Sequence, residues 1–98
     1  MRKKRNEQYH AKGAYWSRAD ARVAIRHGRK LLGRRLRALR VGRQLTQKKA
    51  AEWIGIHPVQ VARIESAEAN FMISSAFAIA FAYQVPIHEL FVLDEERQ

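Results

Sequence analysis

The 98-residue chain has no cysteine, only two prolines and only five glycines. Without thiols it can form neither disulfides nor thiolate metal sites, and nothing in it points to an oxidising compartment. The scattered glycines build no glycine-rich phosphate loop. No apolar run approaches the roughly 20 residues that a bilayer span requires. The N-terminus is basic but lacks the apolar segment of a secretory signal. His10, His27, His57 and His88 lie too far apart for a metal-ligand pattern. Ser17, Ser66, Ser74 and Ser75 have no His/Asp arrangement and read as caps or turn residues. The expectation is a soluble, cytoplasmic chain of one domain that is not an enzyme, with no cofactor, no metal and no membrane partner.

Acidic residues are scarce as well, nine against nineteen Lys and Arg, giving a net charge of +10 and a pI of about 10.9. The imbalance is local. Residues 1–43 carry fifteen Lys and Arg against Glu7 and Asp20, a balance of +13. Residues 44–98 carry four bases against seven acids, a balance of −3. A basic half beside an acidic half suggests that one face meets a polyanion such as nucleic acid.

What is present is helical. No alternating strand pattern of any length appears, nor any internal repeat, so the chain reads as all-α. Residues 1–15 form a basic stretch with little periodicity and read as a flexible arm. Ser17 and Asp20 have the spacing of a capping box, with Trp16, Ala19 and Val23 on one side and Gly28 as a stop, predicting a short helix over 18–27. Leu31, Leu32, Leu36 and Leu39 predict a second helix over 30–42, its other positions largely arginine. Thr46 can cap a helix over 47–54, Pro58 opens one to about 66, another spans 74–83, and Pro86 opens a last one through Phe91. The division is therefore a basic arm with a short helix over 1–29, a helical domain over 30–93, and a polar tail over 94–98.

The stretch QKKAAEWIGIHPVQVARIE, residues 47–65, interrupts a helical pattern with one glycine and resumes it two residues later. Two helices of about eight residues joined by a tight turn can pack at a steep angle through small side chains. That packing needs a small residue where the helices cross, which Ala51 supplies, and a turn residue without a β-carbon, which Gly55 supplies. It also needs inward apolar groups, and Ala50, Ile54, Ile56, Val61 and Ile64 are all apolar.

With these residues the sequence resembles the Cro/lambda-repressor type of helix-turn-helix protein. LGRRLRALR resembles the family's first helix, TQKKAAEWIG its second, IHPVQVARIE its recognition helix and VPIHELF its final short helix. The resemblance covers about residues 31–91. It implies a compact five-helix lambda-repressor-like DNA-binding domain, here with the extra basic arm and short helix. It also implies an ion pair between Arg40 and Glu65 that orients the helices rather than adding net stability.

Carried over position by position, the resemblance places Gln47 on a backbone phosphate and His57, Pro58, Val59 and Gln60 toward the major groove. Arg63 follows one turn on and is the leading base reader, because its planar fork can bond guanine O6 and N7 together. Gln60 suits adenine or a phosphate, and Val59 a thymine methyl. Arg43 and Lys48 join the DNA-binding set, and Arg2, Lys3, Lys4 and Arg5 would follow phosphates or enter a minor groove. The sequence also departs from the family. Pro58 stands where relatives often carry a polar reader, Ala67 where the turn is usually glycine, and Glu68 where a base is common.

Residues 76–83 contain no charged or amide side chain. Ala76, Ile79, Ala80 and Tyr83 match the family's inward face, which leaves Phe77 and Phe81 facing out, and Phe91 joins them as a candidate interface residue. A helix that is apolar all round must be covered on both sides. The cover is either the extra N-terminal helix with Trp16 and Val23 or a second copy of the chain. The resemblance favours the second copy, because the family commonly dimerises through its C-terminal helices. The reading is thus a homodimeric repressor of double-stranded DNA, of bacterial or phage, nucleoid-associated type. Its alternative is an antitoxin-type or co-activator-type protein that uses the same domain to hold a partner such as a toxin or antirepressor.

Overall fold

The computed structural model describes residues 17–68 and 70–92. These form four α-helices, α1 (Arg18–Gly42), α2 (Gln47–Ile54), α3 (Pro58–Glu65) and α4 (Ile73–Tyr83), followed by a 3-10 helix, Ile87–Phe91. There is no strand among the described residues.

The start of α1 follows from its cap. Ser17 Oγ accepts from the Asp20 amide at 3.0 Å, and the Asp20 carboxylate accepts from the Ser17 amide at 3.0 Å. The two bonds satisfy amides that have no partner inside the helix.

Gly28, expected as a stop, is instead an interior residue of one continuous 25-residue helix. The two predicted N-terminal helices are therefore a single element, and the expected boundary between residues 29 and 30 falls inside it. The reason is local. A glycine ends a helix by adopting positive φ, and Gly28 does not, because Arg29, Lys30, Leu31 and Leu32 continue the chain with good helix formers. The last predicted helix is corrected too: it is a five-residue 3-10 segment, begun by Pro86 at φ −62° and closed by a Glu89 amide to Pro86 carbonyl bond of 3.0 Å.

Each α-helix is followed, within two residues of its end, by a left-handed residue. These are Gln44 (φ 58°), Gly55 (φ 91°), Ala67 (φ 61°) and Gln84 (φ 57°), and only one of them is glycine. Paired backbone bonds close the ends, as where Glu68 donates to the Arg63 carbonyl and Ala67 to that of Ile64, both at 3.0 Å.

The core gathers Leu32 and Leu36 of α1, Ala50, Ala51 and Ile54 of α2, Val61 and Ile64 of α3, and Ala76, Ile79, Ala80 and Tyr83 of α4, with Leu90 closing one end. Ile56 packs against this cluster from the turn. Gly33 sets the closest approach of the fold. A β-carbon there would lie 2.5 Å from the Ile64 carbonyl oxygen and 3.0 Å from that of Glu65. Helix α1 thus packs backbone to backbone against the end of α3, and so determines how α3 is presented. The N-terminal turns of α1, residues 17–27, are exposed throughout.

Candidate nucleic-acid interface

The turn between α2 and α3 is built from three local devices. Thr46 Oγ1 accepts from the Lys49 amide at 3.0 Å and starts α2, and Gly55 turns the chain at φ 91°. His57 then caps α3, its Nδ1 accepting from the Val59 amide at 3.1 Å, and Pro58 follows at the first helical position. With Nδ1 occupied as an acceptor, neutral His57 carries its proton on Nε2, leaving a donor for an outside partner. Ala51 is buried at the crossing, with Val61 and Ile64 facing inward beside it.

A polar clamp fixes the far end of α3. Arg40 Nε donates to Glu65 at 2.6 Å, its second terminal nitrogen donates to the other carboxylate oxygen at 3.0 Å, and the first holds the Leu45 carbonyl at 2.8 Å. The Glu65 side chain is almost wholly buried, and it holds the Arg40 guanidinium above its already high pKa. Gln47 adds a third bond to the same carboxylate at 3.2 Å. One carboxylate thus ties the end of α1, the start of α2 and the end of α3. A bidentate pair of this kind orients the helices, while desolvation offsets much of its attraction. Gln47, expected on a phosphate, spends one amide hydrogen on Glu65; an amide nitrogen carries two, so the second can serve another acceptor.

The opposite face of α3 is open. His57, Val59, Gln60 and Arg63 line a shallow concave surface of about 430 Å³, and Asn70 completes its rim. Four of the predicted groove residues therefore stand together, and Pro58 is exposed beside them. Asn70 carries no local sequence signal for this role. Its side-chain oxygen accepts from Arg29 of α1, a partner 41 residues away, so only the folded chain brings it to the site.

The remaining expected contacts are dispersed. Lys48 is exposed in the first turn of α2. Arg43 lies against an aromatic pair, its guanidinium carbon 5.4 Å from the Trp53 ring centre and 5.5 Å from that of Tyr83. The two rings stack at 6.3 Å, and the Trp53 indole donates to the Ala82 carbonyl at 2.7 Å. Arg2, Lys3, Lys4, Arg5 and Trp16 lie outside the described residues. Phe77 and Phe81 face solvent on α4, exposed by 55% and 78%. Phe91 differs from them: it packs against the core and stacks on Phe71 at 6.0 Å. Among the described residues no group of His, Asp or Glu could hold a metal ion, and no helix is long and apolar enough to cross a membrane.

Residues 31–90 match the family model described as a helix-turn-helix domain. The chain belongs to the helix-turn-helix family, of the Cro/lambda-repressor type. The solved structures similar to this helix-turn-helix chain include a hypothetical transcription factor from Neisseria, 26% identical, with a TM-score of 0.68 over 71% of this chain and 80% of that one. They also include a restriction-modification controller protein from Aeromonas hydrophila, 28% identical, with a TM-score of 0.60 over 64% of this chain and 96% of that one. No curated protein sequence is similar enough to count as a match. The match begins at Leu31, so the first half of α1 lies ahead of the shared helix-turn-helix unit.

Proposed function

We propose that the chain is a sequence-specific regulator of transcription, a repressor that binds a palindromic operator in double-stranded DNA as a homodimer, with α3 in the major groove. The observation that carries this reading is the open face of α3. His57, Val59 and Arg63 stand exposed together with a half-buried Gln60 on a helix whose other side is fixed by the core and by the Arg40–Glu65 clamp. A preformed helix face costs little to order when it enters a groove. Arg63 is the bidentate reader of guanine, Gln60 bonds adenine or a phosphate, and Val59 meets a thymine methyl. Pro58 offers apolar contact only, so much of the discrimination rests on Arg63.

The dimer is supported by α4. Ile73, Phe77 and Phe81 succeed one another at four-residue spacing and are exposed by 69%, 55% and 78%, a stripe that water covers at a cost. A two-fold contact buries such a stripe against its own copy and sets two recognition helices about 34 Å apart. The test is the molar mass of the purified chain by light scattering, with and without substitution of both Phe77→Ser and Phe81→Ser. Two copies for the parent and one for the variant, each with unchanged helicity, are expected. A parent that stays a single copy at tens of micromolar, alone and on DNA, contradicts the dimer.

A further inference from the structure

The open surface of α3 does not end at α3. Asn70 on its rim also borders a second hollow, of about 220 Å³, with Ile25, Gly28, Arg29 and Phe71. The bond from Arg29 to Asn70 establishes which side of α1 looks toward the α3–α4 loop. At about 100° per residue, Arg22 and Arg18, seven and eleven residues before Arg29, fall within about 20° of it around the helix axis. Lys30 and Arg34 are turned away by about 100° and 140° on the same reckoning.

Arg18 and Arg22 are exposed, and no ion pair among the described residues engages them. The Arg29 Nε is buried with no acceptor. A ridge of cations therefore starts beside the open face of α3 and runs outward along a helix that is largely solvated. No acidic side chain shares its line: Asp20 is the acid of these turns, and its carboxylate is bound to the Ser17 cap.

We propose that the N-terminal half of α1 is a second DNA-contact element, in which Arg18 and Arg22, in line with Arg29, track the phosphates flanking the half-site. The inference rests on the DNA-binding reading above. The ridge from Arg18 to Arg29 is about 16 Å long at 1.5 Å per residue. That length covers about five base pairs at 3.4 Å each, carrying phosphates on both strands. Asn70 joins the two surfaces. Held by Arg29, it presents its amide hydrogens at the junction between the base-reading face and the flanking backbone.

The test uses the full chain on its selected operator, in duplexes with two or ten flanking base pairs on each side, titrated with salt. The longer duplex is expected to bind at least tenfold tighter. Paired Arg18→Gln and Arg22→Gln should abolish that advantage and lower the slope of log K against log salt by about 2 per protomer. Lys30→Gln with Arg34→Gln removes the same charge from other faces and should keep the flank advantage. Circular dichroism checks that α1 stays helical. A flank advantage that survives the first pair, or disappears equally with the second, overturns the inference. Operator binding that depends on Arg63 but not on flank length overturns it while leaving the DNA-binding reading intact. Absence of any DNA binding overturns both.

Discussion

Gly33 and Gly28 lie five residues apart on one helix, yet replacing them by alanine should have opposite effects. Alanine favours a helix interior over glycine by about 1 kcal/mol. At Gly28 nothing lies within 4 Å of the added carbon, so Gly28→Ala should stabilise by about 0.5–1 kcal/mol. At Gly33 the carbon would sit 2.5 Å from a carbonyl oxygen of α3, against about 3.4 Å for an ordinary carbon–oxygen contact, so α3 must recede by about 0.9 Å. The obstacle is backbone, which no rotamer change can remove. Overpacking of this kind costs about 1–3 kcal/mol. It also strains the Arg40–Glu65 bonds beside it, so Gly33→Ala should be destabilising by about 1–2 kcal/mol net of the propensity gain. For a domain of this size 1 kcal/mol moves Tm by about 4–8 °C. Thermal and urea unfolding of the two variants beside the parent would show Gly28→Ala melting higher and Gly33→Ala lower. A Gly33→Ala protein as stable as the parent refutes the close crossing of α1 and α3. A destabilised Gly28→Ala protein refutes the unbroken helix.

Ala67 holds φ 61° at the end of α3, a conformation that costs a residue with a β-carbon about 1–2 kcal/mol. Ala67→Gly should raise stability by about 0.5–1 kcal/mol after the extra unfolded-state entropy of glycine, read as a higher urea midpoint at unchanged slope. Tyr83 is buried with its hydroxyl lacking a partner, and burial pushes its pKa up. Tyr83→Phe should therefore be neutral or stabilising by up to about 1 kcal/mol, and a clear loss would reveal a hydroxyl contact. The bonds from Ser17 hold the Asp20 carboxyl below its usual range. A carboxyl lowered in the folded state adds stability above its unfolded pKa of about 3.9 and loses it as pH falls below that. The first turns of α1 should fray below about pH 4, seen as lower amide protection relative to the unfolded chain at Asp20 and Ala21, and Asp20→Asn should remove that pH dependence.

Most of the fold was legible because its devices are local. Ser17 with Asp20, Thr46, Gly55 and Pro58 each act within four residues of themselves, and the inward set from Ala50 to Ile64 keeps helical spacing. The features that escaped depend on distant partners or on the wider run of the chain. Gly28 looked like a stop because a glycine can end a helix, but whether it does depends on its C-terminal neighbours, and Arg29, Lys30, Leu31 and Leu32 are good helix formers. Gly33 matters only because the end of α3, some thirty residues on, presses against it. Gln47 could be placed on a phosphate by resemblance, yet its amide also serves the buried Glu65. Asn70 entered the site through Arg29 of a different helix. At the site, the resemblance assembled the face of α3, whereas contacts across the chain determined its rim.

The central claim is that α3 reads DNA sequence, and the most direct test is selection of bound duplexes from a random pool at about 150 mM salt, where purely electrostatic binding is weak. The account predicts an enriched inverted repeat with half-sites about one helical turn apart. It also predicts that the Arg63→Ala protein loses preference at one guanine per half-site, a discrimination of about 1–3 kcal/mol. Binding without enrichment, or an enriched site on which Arg63→Ala changes nothing, would contradict it.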